Sequence, residues 1–302
     1  MQQVIASPAV QGELFDSTSH LSSPEQLRDD LEKRGYVFIR GLFPLEELLN
    51  VRRDIAGVLQ RNGWLDPAVD PMLALSGDGV GPYAESVHPE YAPVYDQIQH
   101  LESFHTLPHD PRLVQLFRDL FNGEPLVHPR HITRVVFPNA VEETTPPHQD
   151  YIYILGTKNT LTAWFPVGDC PRELGGLAVL EGSHQQGLLP TVAARGAGSR
   201  GILLENSGRK WVSTDFRAGD VLVFLALTVH SGLPNLTRNR LRLSMDIRTS
   251  PVAEPVHPSS LLPHMNRVTW DQIYAGWKSD RYKRYWERLN LILSSEDPLA
   301  DR

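Results

Sequence analysis

The chain is predicted to be mainly β with flanking helices, built around a jelly-roll core. Two observations predict this. Between Leu126 and Arg248, short apolar or β-branched runs recur with turn residues between them, which is the texture of an antiparallel sandwich or jelly roll. Helix signals are concentrated before and after that stretch. At 302 residues, with 41% hydrophobic and 22% charged side chains, the chain is ordinary for a globular protein. A single domain is expected over 1–302, divided into a loose tail (1–20), a helical N-terminal part with loops (21–125), the jelly-roll core (126–250) and a C-terminal helical segment (251–302).

The elements follow in order. Ser23 before Pro24 is an N-cap with proline at the first helical position, and that helix runs to Arg34 and stops at Gly35. Tyr36 to Arg40 is a short β-type run. From Pro44 to about Arg61, Leu45, Leu48, Leu49, Ile55, Val58 and Leu59 share one helical face that ends near Gly63. Asp66 to Glu102 is rich in Pro, Gly, Tyr and His without clear periodicity, and reads as a long loop over a pocket or as packing between helices. Asp110 and Pro111 start a helix that Asn122-Gly123 ends after Phe121. Strands are expected at His131–Phe137, His148–Ile154, Thr160–Pro166, Leu177–Leu180, Val221–Leu225 and Leu241–Arg248. Thr269 to Leu293 is aromatic-rich and helical in spacing, and is expected to pack across one sheet.

Composition narrows the function. The formal charge of −7 favours solubility and gives no support for binding nucleic acid or an anionic membrane. Cys170 is the only cysteine, so neither an intramolecular disulfide nor a thiolate zinc site can form. That fits a reducing cytoplasm, and neither a secretory signal nor a membrane span is expected. The partner expected is a small-molecule substrate, and the oligomeric state is not legible.

Chemistry is concentrated at Pro146-Pro147-His148-Gln149-Asp150 and at the distant His230. On a strand His148 and Asp150 leave on one face while Gln149 points away. If a second strand brings His230 to the same spot, two imidazoles and one carboxylate suit Fe(II) and leave open positions opposite. The tripeptide alone is weak evidence: 12 histidines and 36 acidic residues give about 1.4 His-x-acid matches by chance. Three occur. His88-Pro89-Glu90 has proline in a turn-rich segment, and His100-Leu101-Glu102 lies where i and i+2 diverge around a helix. Only His148-Gln149-Asp150 opens a β-type run.

The flanking phrases are more specific. Arg134-Val135-Val136-Phe137-Pro138, Trp164-Phe165-Pro166-Val167-Gly168-Asp169, Gly175-Gly176-Leu177 through Gly182-Ser183-His184, Ala218-Gly219-Asp220, and Arg240-Leu241-Arg242-Leu243-Ser244-Met245-Asp246 stand in that order around the triad. This series closely resembles the phytanoyl-CoA dioxygenase family of Fe(II)/2-oxoglutarate oxygenases, strongly over 126–250 and more weakly in the helices before it.

The resemblance implies a double-stranded β-helix, with His148, Asp150 and His230 as iron ligands, 2-oxoglutarate and dioxygen as cosubstrates, and hydroxylation of a small metabolite or natural-product intermediate with release of succinate and carbon dioxide. Retention of Asp150 argues against the halogenating relatives, which replace it. An arginine after the distal histidine is implied for the far carboxylate of 2-oxoglutarate, because its planar fork pairs with carboxylates. Arg242 is favoured through Arg242-Leu243-Ser244, with Arg240 as a rival that strand alternation alone does not exclude. Thr162, Trp164 and Arg134 are candidate pocket residues. His128, His131, His257 and His264 read as structural or exposed, His184 as a loop residue, and Arg195 to Arg200 as a mobile loop near the site mouth. No basic cluster fit for a coenzyme A handle stands out. The alternatives are a cupin-like metal enzyme not using 2-oxoglutarate, and a non-catalytic jelly-roll binding protein.

Overall fold

The structure is a computed structural model and describes residues 3–83, 88–141, 144–204 and 208–295. Its strands are β1 (Gly12–Glu13), β2 (Tyr36–Ile39), β3 (Pro125–Val127), β4 (Ile132–Val136), β5 (Leu161–Pro166), β6 (Leu177–Leu180), β7 (Val192–Ala193), β8 (Arg200–Gly201), β9 (Trp211–Ser213), β10 (Val221–Leu225), β11 (His230–Gly232) and β12 (Arg242–Pro251). The major sheet runs β2-β10-β5-β12-β3, with β4 beside the first half of β12. The minor sheet runs β1-β9-β6-β11, and β7-β8 form a separate hairpin. Mainly β with flanking helices, the fold is the expected jelly roll.

Alternation along the major sheet separates two environments. Val37, Ile39, Ala163, Phe165, Val221, Val223, Leu243, Met245 and Ile247 point outward into the largest core. There they meet α1 (Pro24–Arg34), α2 (Leu45–Arg61), α3 (Tyr91–Gln99), α4 (Glu102–Thr106) and α5 (Pro111–Phe121). The opposite face looks into the space between the sheets. At the β2-β10 end that space is apolar, closed by Tyr36, Phe38, Trp164, Phe216, Leu222 and Phe224. Towards β12 it turns polar, because Arg242, Ser244, Asp246 and Arg248 share the inner face.

Several expectations change. The 1–20 tail is tied down: β1 pairs in parallel with β9, and the Gln3 amide donates to the Ala193 carbonyl at 3.0 Å. Within Asp66–Glu102 lies α3, whose Tyr91, Val94, Tyr95 and Ile98 are spaced as a helical face. Pro93 reads as a breaker, yet sits in the first turn, where its missing N–H costs nothing. The expected strand His148–Ile154 shrinks to a bridge at His148, after which Asp150 turns helical and α6 (Tyr151–Ile154) follows. Thr269–Leu293 carries only α7 (Trp270–Tyr274) and a 3-10 turn at Tyr285–Arg288. Gly276, with φ +86°, leads the chain out of the helical path after α7. Trp270, Tyr274, Trp277, Tyr285 and Trp286 pack around Leu126 and Val256 at the β3 edge, and Tyr282 stacks on His109, so the aromatic side chains do not spread across a sheet face.

Candidate metal centre and adjoining cavity

His148 and His230 face one another as an antiparallel backbone pair, each amide donating to the other's carbonyl at 3.0 Å. That pairing sets the imidazole centroids 4.1 Å apart. The Nδ1 atom of His148 lies 2.8 Å from the Pro146 carbonyl and that of His230 lies 3.0 Å from the Thr228 carbonyl. A carbonyl only accepts, so both Nδ1 atoms carry the proton and both Nε2 lone pairs are free. Burial, then the neighbouring His148, push the His230 pKa down to about 3, so that ring stays neutral.

The helical turn at Asp150 aims its carboxylate at those lone pairs. Oδ1 lies 3.6 Å from His148 Nε2 and 3.8 Å from His230 Nε2. The three ligand atoms lie within 4.8 Å of one another, the only such His/Cys/Asp/Glu group among the described residues. The Thr162 hydroxyl donates to Oδ2 at 2.6 Å, which fixes the carboxylate rotamer. Burial alone would raise the Asp150 pKa; Arg248, whose Nη2 donates to both oxygens at 3.1 Å, and the two histidines outweigh it and hold the carboxyl well below its usual range. Gln149 points away, donating to the Gly187 and Leu227 carbonyls.

Arg242 lies beside the triad, in a narrow pocket of about 20 Å3 shared with His148, Thr162, Trp164 and His230. Its Nη1 donates to the Gly175 and Gly176 carbonyls. Gly175, with φ +78°, has no room for a side chain, since a Cβ would meet the Leu233 carbonyl oxygen at 2.4 Å. Arg242 Nε and Ser244 Oγ are buried and have no hydrogen-bond partner among the described residues. Arg240 is not on this face. β12 begins only at Arg242, and Arg240 sits in a turn closed by Asn235 and Thr237, its guanidinium donating to the Asp169 carbonyl at 3.0 Å. Alternation therefore does not run back to it. Trp164 packs edge-on against Phe216 at 4.8 Å and walls the pocket.

On the other side of His148 and Asp150 opens a cavity of about 320 Å3. The loop at Ala197–Ser199 forms part of its wall, at the tip of the β7-β8 hairpin and pinned by the Tyr153 hydroxyl donating to the Gly198 carbonyl at 3.1 Å. Sequence reasoning missed much of the rest. His128 and His264, read as structural or exposed, line the cavity, as do Arg130, Arg134 and Arg248. A basic cluster is therefore present, assembled from β12, β4 and the turn before β4. Arg134 is the candidate pocket residue that the sequence offered, and Arg248 left a signal through the alternation Arg242, Ser244, Asp246, Arg248; Arg130 left none. From Asp66–Glu102, no described residue lines this cavity; Tyr83 lines a neighbouring one.

The chain is similar in sequence and in fold to several known proteins. The chain is 28% identical over 264 residues to a 1-deoxypentalenic acid 11-beta-hydroxylase of Streptomyces exfoliatus, covering 82% of this chain and 88% of that protein. A hydroxylase of the same name from Streptomyces arenae is 27% identical over the same shares. The epimerase SnoN, solved with Fe3+, alpha ketoglutarate and nogalamycin RO, superposes with a TM-score of 0.52 at 23% identity, over 79% of this chain and 87% of its own. The alpha ketoglutarate dependent carbocyclase SnoK reaches 0.53 at 17% identity, over 87% and 94%. At those identities the two structures speak for the fold alone. The sequence model of phytanoyl-CoA dioxygenase matches residues 31–243, and the chain belongs to that family of iron- and 2-oxoglutarate-dependent oxygenases.

Proposed function

We propose that His148, Asp150 and His230 hold a ferrous ion, that Arg242 and Ser244 hold the far carboxylate of 2-oxoglutarate, and that the enzyme hydroxylates a small metabolite or natural-product intermediate. The observation that carries this reading is the convergence of two Nε2 lone pairs and one carboxylate oxygen, each locked from behind by a hydrogen bond. The donor set is that of a ferrous site with open positions. The unpartnered Arg242 Nε and Ser244 Oγ are donors that a carboxylate would satisfy. A cupin-like enzyme without 2-oxoglutarate has no use for such a guanidinium. The pocket beside Arg242 has room for about a water molecule, so side chains that line it must shift as the keto acid enters.

With both groups bound, the ion and 2-oxoglutarate supply the oxidising chemistry: dioxygen is consumed, 2-oxoglutarate becomes succinate and carbon dioxide, and a C–H bond of the substrate becomes C–OH. The chain's own residues bind and orient. Thr162 keeps one Asp150 oxygen aimed at the ion, and Trp164 keeps water from the Arg242 side. Tyr153 holds the hairpin tip over the cavity. The Streptomyces hydroxylases support hydroxylation as the outcome. The same reading takes 1–302 as one oxygenase domain, because the described parts of both ends pack on the one pair of sheets. A lone Cys170, buried with its thiol pushed up to about 11, accords with a reducing cytoplasm. The test is succinate release from 2-oxoglutarate, expected only with Fe(II) and absent in Asp150→Ala. Release that is indifferent to both would overturn the reading. Screening compounds for coupled hydroxylated product then names the substrate.

A further inference from the structure

Among the described residues three guanidiniums face the 320 Å3 cavity, and two of them already have acidic partners. Arg134 Nε donates to Asp246 at 2.9 Å, and Arg248 bridges Asp150 and Asp246. Arg130 makes no hydrogen bond or ion pair with any described residue, and its Nε is buried without a partner. Asp150 is the only carboxylate among the described residues lining the cavity, and a ferrous ion would claim it. A ferrous ion and the dianion of 2-oxoglutarate neutralise one another, so loading the site supplies Arg130 with no counter-charge. A half-buried guanidinium left in this way is unfavourable unless an acceptor arrives with the ligand.

A second donor stands next to it. His264 lines the same cavity with Nδ1 2.6 Å from the Tyr95 hydroxyl. Burial first, and then Arg130, Arg134 and Arg248, hold its pKa well below the usual histidine range, so the ring is neutral. In the tautomer in which the Tyr95 hydroxyl donates to Nδ1, Nε2 carries a proton. Around these donors the walls are partly apolar, with Ile132, Ile154 and Ala197.

We infer that Arg130, assisted by His264, anchors a carboxylate of the substrate, and hence that the substrate is a compact apolar molecule bearing one carboxylic acid. One unpaired cation and one neutral N–H suit a monoanion, and the planar fork suits a carboxylate. The inference rests on the reading that this cavity takes the substrate.

The test uses enzyme loaded with Fe(II) and 2-oxoglutarate without oxygen, so that Arg242 is occupied. Calorimetry compares adamantane-1-carboxylate, a rigid apolar cage with one acid, with its neutral carboxamide. The acid is expected to bind at least tenfold more tightly than the amide. Arg130→Gln is expected to remove that preference, and Arg130→Lys to retain part of it. Equal binding of acid and amide, no binding of either, or an acid preference that survives Arg130→Gln overturns the inference. The 2-oxoglutarate titration of the same samples reports separately on the metal centre: if the keto acid fails to bind while the acid preference stands, the site assignment falls and the Arg130 anchor remains.

Discussion

His148 and His230 meet across a backbone bridge with both Nδ1 atoms turned to carbonyls and both Nε2 lone pairs turned to Asp150. His105 and His131, also buried, meet Nδ1 to Nδ1 at 3.2 Å. There His105 Nε2 donates to the Gln99 carbonyl, so its Nδ1 accepts the His131 proton and the lone pair is spent inside the pair. Aromatic rings of Phe104, Trp270 and Trp277 surround it, and among the described residues no carboxylate joins it in a ligand group. Two buried imidazoles in contact are therefore not by themselves a metal site. What makes the difference is where the second nitrogen's proton goes, which the backbone carbonyls decide, and whether a carboxylate is aimed at the lone pairs that remain.

Four experiments break or sharpen that contrast. Asp150→Ala removes a ligand outright, and bound iron and succinate release should fall by more than the ~100-fold that loss of an outer partner costs. His105→Gln in the other pair should leave both unchanged. Arg242→Gln should raise the KM for 2-oxoglutarate roughly 10- to 100-fold, the worth of hydrogen bonds to a charged group, whereas Arg240→Gln should leave it within about twofold. The reverse order would exchange their roles. Thr162→Val keeps every ligand but frees the Asp150 rotamer, and iron affinity should drop by about tenfold; an unchanged affinity would show that Thr162 only packs.

The smallest effect falls on folding. Burial pushes the His105 pKa down to about 4 and that of His109 to about 3. Once unfolded, both titrate near 6.5. Below that pH the unfolded chain takes up protons that the folded chain refuses, so stability is full above about pH 6.5 and declines as pH falls towards 4. Thermal melts between pH 7.5 and 5 should show this as a Tm loss of about a few degrees. His105→Gln should flatten the slope, and an unaltered slope would place the acid sensitivity elsewhere.

Helix boundaries and strand positions were largely legible, because caps, prolines and period-2 runs are local properties. α1, β6 and β10 fall where the sequence placed them. The failures have one physical form. Tyr151-Ile152-Tyr153-Ile154 has β-type residues but makes a helical turn, since tertiary contacts such as the Tyr151 amide donating to Ala226 overrule propensity. Thr269–Leu293 has helical spacing yet stays mostly irregular, because Trp270, Tyr274 and Trp286 are buried at the β3 edge whatever the backbone does.

By itself the sequence determined the family and nominated three residues for a ferrous site. Those are matters of residue identity and order, and they survive without coordinates. Only the tertiary structure decided that Asp150 leaves a helical turn, that Arg242 faces the triad while Arg240 does not, and that Arg130, His128 and His264 line a common cavity. Those residues are brought together from segments as far apart as 128 and 264, and a cavity is a property of what surrounds it, which no local pattern records.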